Sequence, residues 1–242
     1  MNQYQLPTPE KKPEYVRINF DHIAKAYDRF NDWNSFFLHR KWKNWMISQA
    51  KSLVPEAKVA IDLCCGTGDI TLRLANEFPQ LEKITGLDFS EKMLSFAKHK
   101  VTEFPNVKVE IGDVMDLKGF QDNTVDLVTM GFGLRNVSDL KKCLTEIKRI
   151  LKPNGLFINL DVGRVRPKFL KKFADFYFFR VVPLFGYLIF GKKHEMFDYL
   201  PHSSTTYPDQ ETLQKILLEI GFLDVHFKNF VFGNAVAHLA KK

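Results

Sequence analysis

The sequence predicts an α/β protein built on a doubly wound, mostly parallel sheet of seven strands. Two observations carry this. Short apolar runs alternate with helical patterns five times between residues 58 and 160, the signature of a parallel sheet covered by helices. The first run ends in the turn Cys64-Cys65-Gly66-Thr67-Gly68-Asp69, and the second ends on Asp88, 20 residues after Gly68. Glycines let the backbone approach a ligand, and an acid at that distance accepts hydrogen bonds from ribose hydroxyls. The turn is therefore expected to hold a nucleoside.

The elements follow in order. Phe20, Ile23, Ala24 and Tyr27 share one face of a helix expected over 20–30. Ser35 is expected to cap a second helix that runs past Trp42 and Trp45 and closes before Pro55. Strands are expected at 58–63, 83–87, 107–111, 125–130 and 156–160, with helices at 69–77, 90–101 and 138–151 between them. Residues 209–220 read as a last helix, and 223–228 with 235–240 as an antiparallel edge. The expected organisation is a loose, disordered tail at 1–19 and a single domain at 20–242. Within that domain lie N-terminal helices at 20–55, the cofactor-binding core at 58–163, a basic aromatic insertion at 164–207 and the closing elements at 208–242.

Composition narrows the class. Three cysteines among 242 residues give no disulfide framework and no metal-ligand spacing, so no metal is expected and the protein reads as reduced and cytoplasmic. The polar N-terminus, with Pro7, Pro9 and Pro13, has no apolar core of a signal peptide. The net charge of +7 lies in residues 164–193, where eight Lys and Arg, Lys192 and Lys193 among them, meet one acid, Asp175. That segment also carries nine aromatics. Charge so localised argues against a nucleic-acid groove.

The turn discriminates between two nucleosides. A dinucleotide site uses a third glycine where this chain has Thr71. Asp69 also stands at the helix N-terminus, where a pyrophosphate would sit and where a carboxylate repels it. S-adenosylmethionine, with its ribose, its sulfonium and no phosphate, fits better than a nicotinamide dinucleotide. Cys64 and Cys65 read as small packing residues under the turn rather than as redox groups.

Longer motifs carry a resemblance. The run Asp88-Phe89-Ser90-Glu91-Lys92-Met93-Leu94 resembles class I S-adenosylmethionine-dependent methyltransferases. Gly131-Phe132-Gly133-Leu134-Arg135-Asn136-Val137 and Arg149-Ile150-Leu151-Lys152-Pro153-Asn154-Gly155 are more specific. With Tyr27-Asp28, Asn31-Asp32, Ser35-Phe36, His39-Arg40 and Trp42-Lys43, they resemble the UbiE/MenG C-methyltransferases of menaquinone and ubiquinone biosynthesis. Tyr199-Leu200, Ser203 and the run from Pro208 to Leu213 agree. The resemblance spans the chain from about Phe20 onward.

It implies a Rossmann-like methyltransferase fold with cofactor contacts at Gly66, Thr67, Gly68, Asp88, Asp113, Val114 and Gly131. Gly131 replaces a serine frequent in the family, and Asp161 a glutamate. The implied reaction transfers a methyl group to a ring carbon of a polyprenyl quinol. Demethylmenaquinol is favoured over the 2-polyprenyl-6-methoxy-benzoquinol of the ubiquinone route. A non-catalytic S-adenosylmethionine-binding subunit and an RNA or small-molecule methyltransferase on the same fold are the competing classes.

A ring carbon becomes nucleophilic when the adjacent hydroxyl ionises. A phenol has a pKa of roughly 10, so assistance is needed. Arg135 is the candidate cation for the oxyanion, since a guanidinium is always charged and donates in parallel. For the base, His39, Tyr27, Asp161, His202 and Tyr199 remain open, with Tyr27 and Tyr199 also candidates for the ring pocket. The apolar run 181–191 contains Pro183 and is too short to span a bilayer. The insertion instead reads as a surface helix or lid that sets aromatics and cations against an anionic membrane. An oligomer is compatible with the sequence.

Overall fold

The computed structural model describes residues 4–191 and 194–242. Seven strands form one sheet in the order β3-β2-β1-β4-β5-β7-β6. The strands are β1 (Val59–Leu63), β2 (Lys83–Asp88), β3 (Val107–Ile111), β4 (Val125–Gly131), β5 (Leu151–Val162), β6 (Leu223–Phe230) and β7 (Ala235–Lys241). The first five pair in parallel, and β7 runs antiparallel between β5 and β6. The fold class and the antiparallel edge are as the sequence implies.

Alternation along each strand fills both faces of the sheet. Ile61 and Leu63 of β1, Val128 and Met130 of β4 and Phe157 of β5 pack on one side with Leu144, Ile147, Leu213 and Leu217. Those four belong to α6 (Leu140–Ile150) and α10 (Gln210–Ile220). Ala60, Leu127, Ile158 and Leu160 pack on the other side with Met46, Ile47, Ile70 and Leu74. These come from α3 (Leu38–Leu53) and α4 (Asp69–Glu77). The glycine turn joins β1 to α4 beside the β1/β4 crevice, where strand order reverses and such sheets bind ligands.

Gly66 and Gly68 take positive φ, 55° and 78°. A Cβ on Gly68 would stand 3.0 Å from the Ala97 Cβ of α5 (Glu91–Lys100) and 3.2 Å from its Cα. Gly68→Ala is therefore strained in backbone and in space, and a loss of about 1–3 kcal/mol is expected. A thermal melt should fall by about 2–4 °C for each kcal/mol; an unchanged melt would contradict this packing.

Three local expectations need correction. The segment expected as a tail contains α1 (Lys12–Ile23). Pro13 occupies its first turn, where the missing N–H costs nothing. Val16 and Ile23 bury one face, while Tyr4 and Leu6 pack against the same cluster. Prolines and charges masked that helical spacing. Residues 1–3 of the expected tail lie outside the described residues.

The helix expected over 20–30 is instead split. α1 ends at Ile23, a 3₁₀ turn spans Ala24–Ala26, and α2 covers Tyr27–Asn34. Ser35 caps α3 from two residues before the N-cap position, Phe37, its Oγ accepting the His39 N–H of the first turn at 3.3 Å. Its hydroxyl donates back to Asn31 O at 2.7 Å, and Phe36 and Phe37 follow in the left-handed region at φ 49° and 62°. α3 then begins at Leu38.

The insertion holds the third correction. α7 (Lys168–Phe176), a π turn (Tyr177–Val181) and α8 (Val182–Phe190) run on as one rod. Pro183 falls in the first turn of α8, where the wider π turn absorbs its missing donor. The segment Phe169–Phe190 is thereby long and apolar enough to cross a membrane by length and composition, whereas the run 181–191 alone is too short. One face is nevertheless committed to protein. Val182 is buried, and Gly186 lies so close to the Phe197 ring that a Cβ would meet it at 2.4 Å. Phe197 belongs to α9 (Glu195–Thr206). Lys192 and Lys193 of the basic segment lie outside the described residues.

Candidate active site

The sheet's carboxyl edge gathers the residues expected at the cofactor. Asp88 ends β2, Asp113 and Val114 follow β3, and Gly131 ends β4. Asp88 is 5% exposed and accepts the N–H groups of Gly66 and Ser90, each at 2.9 Å. Burial outweighs these bonds and pushes its pKa up to about 6. A buried carboxylate so poised gains from added hydroxyl donors, which is what a ribose brings. Gly66 leaves room for them, since a Cβ there would meet only Tyr27 Cε1, at 3.9 Å. The donor set and the open glycine thus fit a nucleoside.

Asp113 is less committed, its Oδ1 accepting the Met115 N–H at 2.8 Å. Gly131 is glycine for a packing reason, because a Cβ would lie 2.4 Å from Ile70 Cδ1. Beneath the turn, Asp62 accepts from Thr71 and Thr129 at 2.6 and 2.9 Å, a buried brace between β1, α4 and β4. Cys64 and Cys65 sit among packed groups, and their surroundings push both thiols up, away from the reactive thiolate.

The N-terminal helices cover this edge. Thr67 Oγ1 donates to Asp28 at 2.6 Å, Ser90 Oγ donates to Asp21 at 2.6 Å, and Lys100 pairs with Asp28 at 2.6 Å. Lys12 Nζ donates to the carbonyls of Arg135 and Val137, both at 2.9 Å. The Thr67 hydroxyl is thus already spent on α2.

Asp69 needs a revised reading. It meets Lys43 at 2.7 Å and Arg73 at 3.3 Å. Burial alone would raise its pKa, but the two cations hold it at about 2. The acid is neutralised and ties α3 to α4. Its charge is therefore a weak argument against a pyrophosphate; the missing third glycine still stands.

Beside the turn lies a cavity of about 470 Å³. Aromatic and aliphatic side chains form most of its wall, including Tyr27, Phe30, Trp42 and Phe132 from the N-terminal and core elements. The insertion adds Leu170, Phe173, Tyr177 and Phe178. Polar groups are few: Asn31, Asn34, His39, Lys43 and Arg135 among them. Tyr27 reaches both the cavity and the space over Gly66, so the two sites adjoin.

Arg135 is 9% exposed. Its Nη1 donates to Asp161 Oδ1 at 2.6 Å and to the Phe132 carbonyl at 2.9 Å. Burial opposes the charge, but the Asp161 carboxylate outweighs it and raises the Arg135 pKa. Nε and Nη2 make no hydrogen bond among the described residues, which leaves donors for a ligand oxygen. Asp161 itself, fully buried and also bonded to the Arg135 and Val162 N–H groups, is a holder of the arginine rather than a free base.

The other candidates separate. Burial raises the pKa of Tyr27, so at the cavity wall it is a neutral donor and ring surface. Tyr199 does not line the cavity. It is fully buried, its hydroxyl donates to Asn136 Oδ1 at 3.0 Å, and burial pushes its pKa well up. His202 is bonded to the Asp198 carbonyl and stacks near Tyr4, away from the cavity. His39 lines the cavity and bonds Asp32. Asn34 carries no signal in the sequence, and no role attaches there to Asp28 or Asp32 individually. Asp28 and Asp32 belong to motif runs already noted, which is the signal that marks them.

A doubly wound sheet whose carboxyl edge fits a nucleoside, with an apolar cavity adjoining it, defines a Rossmann-like nucleoside-binding protein with room for a second, apolar ligand. The solved structures agree on fold. A methyltransferase from Aquifex aeolicus superposes with TM-score 0.55 at 20% identity, over 76% of this chain and 81% of that one. A possible histamine N-methyltransferase from Thermotoga maritima gives 0.60 at 20% identity, over 91% and 98%. The chain belongs to the ubiE/COQ5 methyltransferase family, which it matches over residues 8–242. Demethylmenaquinone methyltransferase of Leptospira interrogans is 52% identical across 100% of this chain and 98% of that protein. The enzyme of that name from Staphylococcus epidermidis is 38% identical across 96% and 95%.

Proposed function

We propose that this enzyme transfers the methyl group of S-adenosylmethionine to a ring carbon of demethylmenaquinol, giving menaquinol. The observation that carries the reading is the aromatic cavity adjoining the glycine turn through Tyr27. Gly66, Gly68 and the backbone of Thr67 would hold the cofactor at the turn, Asp88 at the ribose, and Asp113, Val114 and Gly131 around the base. When bound, S-adenosylmethionine supplies an electrophilic methyl on a sulfonium. Arg135, fixed by Asp161, would steady the acceptor oxyanion through its remaining donors. Aromatic walls would bind the fused ring, exclude water and orient the reacting carbon.

A bicyclic naphthoquinol covers more of such an apolar wall than a single-ring benzoquinol that carries a polar methoxy group. With both acceptors offered at equal chain length, a higher kcat/KM for the naphthoquinol is expected; equal or reversed values would favour the ubiquinone precursor.

The polyprenyl tail needs an exit. At the cavity rim, Phe36, Phe173, Val231 and Phe232 are exposed, and Phe37, Phe169, Phe176 and Leu188 extend the patch. Lys171, Lys172 and Arg180 accompany it. We read this as a cytoplasmic enzyme resting on an anionic membrane, the tail remaining in lipid. An apolar side chain contributes about 1.5–3 kcal/mol when fully buried. Phe169→Ser, Phe176→Ser and Leu188→Ser together should weaken binding to phosphatidylglycerol vesicles at least tenfold. Wild-type protein that leaves such vesicles bare at low salt would contradict the surface reading.

A further inference from the structure

Two residues that line the cavity each carry a buried acceptor atom with no partner among the described residues: Nδ1 of His39 and Oδ1 of Asn34. His39 is 6% exposed, and its other ring nitrogen, Nε2, meets Asp32 Oδ1 at 2.9 Å. Asp32 is itself fixed by two bonds from Arg40, from Nε and Nη2, each 2.7 Å. A carboxylate at Nε2 favours the tautomer with its proton there and leaves the Nδ1 lone pair free. An imidazole oriented by an acid, on a residue that lines a ligand cavity and with its second nitrogen unpaired by protein, has the arrangement of a general base once the ligand packs against it. A quinol brings two O–H donors for the two bare acceptors; an oxidised quinone brings none.

We propose that His39, oriented by Asp32, is the general base that takes the proton of the acceptor hydroxyl, and that Asn34 receives the second hydroxyl. The inference rests on the quinol reading above. The hydroxyl O–H bond breaks as the Nδ1–H bond forms, and the imidazolium is steadied by Asp32. The ring carbon then bonds the methyl, and the sulfur keeps the electron pair of the broken S–C bond. The ring carbon's own proton leaves to water while the imidazolium returns its proton to the ring oxygen. One proton is released per methyl transferred.

The charges facing His39 suit the task. Burial and Lys43 of α3 lower its pKa; Asp32 of α2 and Asp69 of α4 oppose them without prevailing. Arg40 lies across Asp32, and Arg135 shares the cavity. The ring is thereby neutral at pH 7. Since a protonated base is inactive, turnover is lost as pH falls through the His39 pKa.

His39→Gln should lower kcat at least hundredfold, abolish that acid limb, and leave affinity for S-adenosylhomocysteine within twofold. Asp32→Asn should move the limb to lower pH. A more acidic fluorinated quinol should shrink the His39→Gln deficit, which a purely structural role would not do. Independently of activity, nitrogen NMR of histidine-labelled wild-type protein with S-adenosylhomocysteine should show Nδ1 unprotonated. Adding a short-chain demethylmenaquinol should shift that resonance, and the oxidised quinone should not. His39→Gln enzyme within threefold of wild-type kcat, or Nδ1 carrying the proton in the free protein, would overturn the proposal. Wild-type enzyme that transfers no methyl to the quinol would overturn instead the reading on which it rests.

Discussion

Replacing Arg135 with glutamine is expected to lower kcat by about 10²–10³, the usual loss when one oxyanion donor is removed. Stability should fall too, by about 3–5 kcal/mol, because Asp161 is left fully buried without its cation. The two effects can be separated. Asp161→Asn added to Arg135→Gln removes both charges, so the melting temperature should recover while kcat stays low. Recovery of kcat together with stability would show that the arginine serves only to fix the loop between β4 and α6. Arg135→Lys keeps the charge but loses the planar fork, so an intermediate kcat is expected.

Asp88→Asn is expected to weaken S-adenosylmethionine binding about 10–100-fold, from about 1.5–3 kcal/mol for hydrogen bonds to a charged acceptor. The wild-type pH dependence follows from the same group. Burial raises the folded-state pKa of Asp88 from 3.8 to about 6. The ionised form is thus a cost to the free protein at neutral pH, relieved as pH falls through about 6. Ribose hydroxyls need the ionised form, so affinity should fall by up to tenfold per pH unit below about 6. Calorimetry across pH 5–8 checks this. Asp88→Asn should bind weakly at every pH; a variant with wild-type affinity and slope would exclude Asp88 from the site.

Much of this was legible before folding. The strands and the glycine turn are local features, and alternation with helices dictates a parallel sheet. What escaped depends on distance in sequence. Asp161 reaches Arg135 across 26 residues, and Thr67 reaches Asp28 across 39. No spacing rule pairs them. Asp69 illustrates the hazard of reading a charge alone, because Lys43, 26 residues earlier, cancels it. Asp32 and His39 are seven apart, the spacing of two turns on one helix. They meet instead across a break at Phe36 and Phe37, where two aromatics take a left-handed conformation that no propensity favours. The insertion was legible in composition but not in shape. Its basic and aromatic content marked a surface, while the π turn that carries the helix through Pro183 has no sequence rule.

On the proposed reading, one site joins S-adenosylmethionine to a demethylmenaquinol ring. The most direct measurement gives the purified protein S-adenosylmethionine with a carbon-13 methyl and a short-chain demethylmenaquinol held reduced. The expected result is menaquinol carrying the label on its ring carbon, in stoichiometry with S-adenosylhomocysteine. Protein that binds the cofactor yet transfers no label to this quinol would rule out demethylmenaquinol as the acceptor.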